Sequence, residues 1–104
     1  IGGNLKIDMT IEEIVKKVSE ISSVPEKEIV GKSRKMEIAQ ARQVSMFLSR
    51  EILGKSLSGI GIYFGGRDHT TVMHAIKTIS EKVDTDDVIS NTISKLRTDL
   101  NQSF

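Results

Sequence analysis

Residues 56–75 read SLSGIGIYFGGRDHTTVMHA, in which a pair of glycines separates two segments with helical patterns. Ser56 can cap a short helix, and glycines 65 and 66 then supply the left-handed backbone of a tight turn. A second helix begins at Asp68. Apolar residues of the first helix recur at helical spacing, at Leu57, Ile60 and Phe64. Two helices joined by a glycine turn are typical of a helix-turn-helix, whose second helix enters the DNA major groove.

The second helix starts with polar side chains that stand clear of its apolar face. An aspartate can accept a hydrogen bond from cytosine N4, a histidine can donate to guanine, and a threonine methyl group can pack on thymine. We therefore predict base contacts from Asp68, His69 and Thr70. Side chains further along the helix would meet backbone phosphates: Thr71, His74 and Lys77.

Each of these residues also has a plainer interpretation. Asp68 could act only as a helix N-cap, although capping and base contact can coexist. A metal-dependent hydrolase built on Asp68, His69 and His74 is an alternative, but the two histidines are five residues apart, whereas zinc ligands on one helix face are four apart. Gly59 and Gly61 are poor helix formers and predict a soft first helix in the motif.

Periodicity upstream predicts three more helices. Thr10 and Glu13 form a capping box for the first. A short second helix is expected over 24–30, with a proline in its first turn and a glycine at its end. The third, central helix should run over 38–53 with Gly54 as its C-cap.

One more helix is predicted downstream, with Thr85 as its cap and Asp86 and Asp87 in its first turn. No alternating strand pattern competes with these helices. The sequence therefore predicts an all-α fold, a compact domain of about six helices with an embedded helix-turn-helix.

The formal net charge of +1 conceals a basic middle. Residues 32–77 carry eight bases and three acids, whereas each flank carries a net charge of −2. Such asymmetry attracts phosphate, although a solvated face without a partner is the alternative. Arg34, on the basic loop of residues 32–35, could enter an A/T-rich minor groove or be an ordinary surface arginine. Arg42, Gln43 and Arg50 on the central helix are candidate phosphate contacts, and we expect positions 42 and 50 to share a side.

Composition excludes several classes of protein. The chain has no cysteine, hence no disulfide or thiolate site, which suits a reducing cytosol. It has neither a run of membrane-spanning length nor a signal-peptide pattern at its start. Four aromatic residues cannot build a stacking platform for single strands. We expect a soluble, cytoplasmic domain at 10–104 after a linker remnant at 1–9.

Residues 65–75, GGRDHTTVMHA, resemble the signature of the C-terminal DNA-binding domain of the DnaA family of bacterial replication initiators. The likeness extends to Ala41-Arg42-Gln43 and Ser56-Leu57 and covers about residues 10–100. It implies a Trp-repressor-like, non-catalytic domain that binds double-stranded DNA as a monomer, at TTATNCACA-type boxes of the origin. It further implies that this chain needs no metal or cofactor, since ATP would bind to upstream domains of the full protein. The full protein would oligomerise through those domains, and acidic phospholipid could contact the N-terminal linker.

The resemblance also implies roles for individual residues. Asp68, His69 and Thr70 match the family's major-groove readers, and Arg34 matches its minor-groove arginine. The positions that match phosphate contacts are Arg42, Gln43, Arg50, Leu57, Ser58, Thr71, His74 and Lys77. A dimeric transcription regulator with a palindromic site and a protein-interaction domain without DNA affinity are the remaining alternatives.

Overall fold

The computed structural model describes residues 9–101. This part of the chain forms six α-helices and no strand, which confirms the all-α prediction. The central helix α3 packs against α1, α2, α4 and α5, while α6 packs against α1 and α5. The helices are α1 (Ile11–Ser22), α2 (Glu26–Ile29), α3 (Met36–Leu53), α4 (Leu57–Tyr63), α5 (His69–Thr85) and α6 (Asp87–Asn101).

Local capping chemistry sets most helix boundaries. The Thr10 amide donates to Glu13 Oε1 at 3.0 Å, and the Glu13 amide donates to Thr10 Oγ1 at 3.3 Å, which confirms the capping box. Ser56 caps α4 by accepting a 3.0 Å bond from the Gly59 amide. Gly54 ends α3 with a φ of 63°, as predicted. These bonds satisfy amides and carbonyls that a helix end leaves without an internal partner.

The predicted cap of α6 is wrong by one residue. Thr85 still belongs to α5, and its hydroxyl donates to the Glu81 carbonyl at 3.3 Å. Asp86 caps α6 instead, since its Oδ1 accepts from the amides of Val88 and Ile89 at 3.0 and 3.2 Å. A carboxylate accepts both bonds and also suits the positive end of the helix dipole, which favours aspartate over threonine here.

Apolar stripes on the last two helices hold α5 in place. Val72, Ala75 and Ile79 on α5 are buried, and α6 contributes a buried stripe of its own: Ile89, Ile93, Leu96 and Leu100. Each of the valine, isoleucine and leucine side chains contributes roughly 1.5–3 kcal/mol of transfer free energy when fully buried. Met9, placed by sequence in the linker remnant, also lies in the core, and residues 1–8 fall outside the described part.

An exposed ion pair joins α6 to the C-terminal part of α3. Arg97 Nε donates to Glu51 Oε2 at 2.8 Å, and Arg97 Nη2 donates to Glu51 Oε1 at 2.5 Å. These bonds raise the pKa of Arg97. The two parallel bonds fix geometry better than a single ionic contact does. Within residues 9–101, no helix has the length and apolarity needed to span a bilayer.

Candidate nucleic-acid interface

The first turn of α5 presents its polar side chains to solvent. Asp68, His69, Thr70 and Thr71 are all exposed, because the buried stripe that begins at Val72 faces the core. Asp68 Oδ1 accepts a hydrogen bond from the Thr71 amide at 2.8 Å, and this bond lowers the pKa of Asp68. The carboxylate is therefore charged at neutral pH while it caps α5.

The glycine turn approaches α4 so closely that Gly61 cannot carry a side chain. The amides of Gly66 and Arg67 both donate to the Gly61 carbonyl, at 3.0 and 2.9 Å. A Cβ on Gly61 would lie 2.0 Å from the Arg67 carbonyl oxygen. Gly65 and Gly66 have φ values of 83° and 80°, the left-handed conformation that the sequence predicted. Gly61 thus permits the contact that sets where α5 begins.

The basic loop lies beside this turn. Arg34 is exposed, and it lines a cleft together with Lys32, Gly65 and Gly66. The structure thus brings the predicted minor-groove residue to the same side of the molecule as the start of α5. This is the arrangement that simultaneous reading of two adjacent grooves requires.

Arg42 is turned inward, which corrects the expectation that it shares an exposed side with Arg50. Its side chain is only 6% exposed, and its Nε, Nη1 and Nη2 donate to the main-chain carbonyls of Ile29, Ser33 and Glu28 at 2.7–3.0 Å. Burial lowers the pKa of Arg42, with a further contribution from the charge of Arg67. Arg42 thus secures the α2–α3 loop, and it also borders the clefts on either side.

Several of the predicted phosphate contacts share a groove between α3 and α5. Gln43, Thr71 and His74 line it together with the predicted base reader Thr70. Apart from Arg42, which borders both clefts, the remaining predicted contacts lie outside them. Lys77, Ser58 and Arg50 are exposed, Leu57 is half-buried, and Arg50 Nη1 donates to the Lys55 carbonyl at 2.8 Å. No group of three potential metal ligands is present among residues 9–101.

Two residues near the start of α5 were not assigned from sequence. Met73 lies one turn after His69 and is 51% exposed, so it presents an apolar surface beside the readers, where a thymine methyl group would fit. Arg67 donates through Nη2 to the Gly31 carbonyl at 2.8 Å and through Nη1 to the Phe64 carbonyl. The sequence could have indicated Met73, because this methionine lies outside the apolar stripe of α5 and among its polar residues. The partner of Arg67 lies 36 residues away, and no local sequence pattern indicates it.

Comparison with known families agrees with this geometry. Residues 11–79 match the family described as bacterial dnaA protein helix-turn-helix. The chain belongs to the bacterial DnaA helix-turn-helix family. The matched segment runs from α1 through most of α5 and so includes both the basic loop and the glycine turn. The resemblance inferred from residues 65–75 is thereby confirmed.

Individual DnaA proteins are similar along most of the chain. It is 43% identical to the chromosomal replication initiator protein DnaA of Chlorobaculum tepidum over 86% of its length, and 44% identical to that of Ruegeria pomeroyi over 86%. The protein of the same name from Limosilactobacillus reuteri is 41% identical over 91% of the chain. The matches cover only 18%, 19% and 22% of those three proteins, so this chain spans about a fifth of each.

Proposed function

We propose that this chain binds double-stranded DNA in a sequence-specific manner, with the start of α5 in the major groove. One observation carries the proposal: Asp68, His69 and Thr70 are exposed at the end of a helix whose opposite face is anchored in the core. Side chains on a rigid element meet base edges with a defined register. Arg34 would enter the adjacent minor groove, where an A/T-rich sequence concentrates negative potential.

Phosphate contacts would fix the register of α5 on the duplex. The groove shared by Gln43, Thr71 and His74 suits one strand of the backbone, because amide, hydroxyl and imidazole groups can all donate to phosphate oxygens. Lys77 would extend this strand contact along α5, and Arg50, Leu57 and Ser58 would approach the backbone from α3 and α4. Arg42 would contribute mainly by holding the basic loop, since its nitrogens already donate to carbonyls.

The target we propose is a TTATNCACA-type box at a replication origin. The supporting observation is the family: the similar proteins are named chromosomal replication initiators. In this proposal the chain acts as the origin-recognition part of a longer cytoplasmic protein and catalyses nothing itself. ATP binding and oligomerisation would belong to other parts of that protein, and the isolated chain would bind as a monomer. The acidic phospholipid contact expected near residues 1–9 falls almost wholly outside the described residues.

Fluorescence anisotropy of labelled duplexes tests this function. The chain is titrated onto a TTATNCACA-type box and onto a scrambled duplex of equal composition, at two salt concentrations. We expect the box to be preferred by about 10³-fold or more, as is usual for specific recognition. His69→Ala should weaken binding to the box much more than binding to the scrambled duplex. Ser94→Ala, at an exposed position on α6, should leave the affinity for both duplexes unchanged. Equal binding of both duplexes by the parent chain would refute sequence recognition.

A further inference from the structure

We propose that Arg67 is a positioning residue that sets the spacing between Arg34 and the base readers on α5, so that both halves of a site are read together. The inference rests on the proposed function and adds a residue that acts through others. Arg67 directly precedes Asp68, the cap of α5, and its side chain reaches the backbone at Gly31, directly before the loop that carries Arg34.

The contacts of Arg67 span the two reading elements. Nη1 donates to the Phe64 carbonyl at the end of α4, and Nη2 donates to the Gly31 carbonyl at 2.8 Å. The two backbones also meet directly, since a Cβ on Gly65 would lie 3.4 Å from the Val30 carbonyl oxygen. One guanidinium thus joins the turn that precedes α5 to the residue directly before the basic loop.

A second arginine holds the other end of the same loop. Arg42 donates to the carbonyl of Ser33 at 2.9 Å, directly before Arg34. The loop is therefore tied at Gly31 to the helix-turn-helix and at Ser33 to α3. Removing the Arg42 bonds would detach the loop from the core, but removing the Arg67 bond would release it from α5 in particular. Arg67 is accordingly the residue whose loss should affect the spacing of the readers.

Both bonds of Arg67 depend on the shape of its side chain. A guanidinium presents several donors in a planar fork, whereas a lysine ammonium is a compact point charge on a flexible stem. Arg67→Lys therefore keeps the charge and any general attraction to phosphate but loses the fixed link between two carbonyls. The loop must then be ordered when DNA binds, and the minor-groove contact weakens by that ordering cost.

The test measures parent and Arg67→Lys affinities on four duplexes: the intact box, a box with its TTAT half changed to G/C pairs, one with its CACA half changed, and one with both changed. Arg67→Lys should bind about three- to tenfold more weakly wherever the TTAT half is intact. It should match the parent wherever that half is changed, because the contact of Arg34 is then already lost. Arg97→Lys, which breaks a forked pair remote from this surface, should show no such dependence on duplex.

A uniform loss across all four duplexes would overturn the proposal, because it would indicate a phosphate contact or a general loss of fold. No loss on any duplex would overturn it as well. Arg67→Gln is measured in parallel, and if neither variant retains the parent's helical circular dichroism, Arg67 is a determinant of folding and the proposal fails. If the parent itself does not prefer the box, the proposed function fails. A measurement without DNA then tests separately whether Arg67 fixes the distance between the basic loop and α5.

That measurement uses the absence of native cysteine. Spin labels at Lys35→Cys and Ser80→Cys, both exposed positions, report the distance from the basic loop to α5 in the free chain. The parent should give a narrow distance distribution and Arg67→Lys a broader one. A matched pair at Ser80→Cys and Ser94→Cys, between α5 and α6, should be unaffected. Equal widths for the loop-to-α5 pair in parent and variant would contradict the proposed positioning.

Discussion

Replacing Gly61 by alanine should damage the turn that places the recognition helix. The new Cβ would lie 2.0 Å from the Arg67 carbonyl oxygen and 3.0 Å from its carbon, so this backbone must move by more than about 1 Å to reach ordinary contact. That movement strains the two bonds to the Gly61 carbonyl, worth about 1 kcal/mol each. Overpacking adds about 1–3 kcal/mol. The higher helix propensity of alanine relative to glycine offsets about 1 kcal/mol of this loss.

If both bonds are lost, the expected net loss is about 2–4 kcal/mol in the free energy of unfolding, a large fraction of the stability of a small domain. Urea denaturation followed by circular dichroism measures it. Gly59→Ala is the matched control, because it lies in the same helix but its Cβ would meet only a side-chain atom, the Ser56 hydroxyl oxygen, at 3.0 Å. Because that hydroxyl caps α4 through the Gly59 amide, the gain in helix propensity and the displaced cap oppose each other, and the net change should stay within about 1 kcal/mol. Equal stability of Gly61→Ala and Gly59→Ala would refute the close-approach argument.

Four further outcomes are expected. Thr70→Ala should cost about 1–3 kcal/mol on the cognate box and far less on scrambled duplex, measured by anisotropy, since it reads base edges. Lys77→Ala should weaken both duplexes and flatten the salt dependence by about one unit of slope; an unchanged slope removes it from the interface. Arg42→Met should destabilise the chain by about 2–4 kcal/mol in urea denaturation, because three carbonyls lose a charged donor; a lost unit of salt slope would instead indicate direct phosphate contact. The difference in the free energy of unfolding between the parent and Asp68→Ala should be fully present at neutral pH. It should be lost as the pH falls through the pKa of Asp68, because folding lowers that pKa. Denaturation at several pH values measures the difference, and a difference that does not change with pH would contradict the prediction.

Sequence patterns predicted those features whose causes are local. The capping box at Thr10, the Ser56 cap and the left-handed glycines 65 and 66 involve partners within a few residues, so a short stretch of sequence contains both members of each contact. The exposure of His69 and Thr70 followed from the buried stripe on the same helix. The choice between Thr85 and Asp86 as a cap failed, because both can accept from helix amides and the backbone decides between them. The short second helix was also placed too broadly, since α2 covers only Glu26–Ile29 and Pro25 is its N-cap.

Arg42 and Arg67 could not be interpreted from sequence, because their partners are main-chain carbonyls 9 to 36 residues away, apart from Phe64. Any residue type supplies a carbonyl, so no pairing pattern marks such a contact. Periodicity places Arg42 two turns from Arg50, but it does not reveal that loop carbonyls draw the first inward while the second stays exposed. The same limit hid the role of Gly61, which is set by a backbone that returns from beyond α4.

The inward arginines change what the basic middle of the chain can do. All eight bases between residues 32 and 77 still contribute to the long-range potential, since a charge acts over about 10 Å at 0.1 M salt whether or not it touches DNA. Direct contact is more restricted, because Arg42 and Arg67 already donate to carbonyls. In the proposed complex their positive charges should therefore promote the encounter with DNA, while their hydrogen bonds hold the basic loop beside the turn that precedes α5. Counting bases alone would overestimate the phosphate contacts and miss this division of roles.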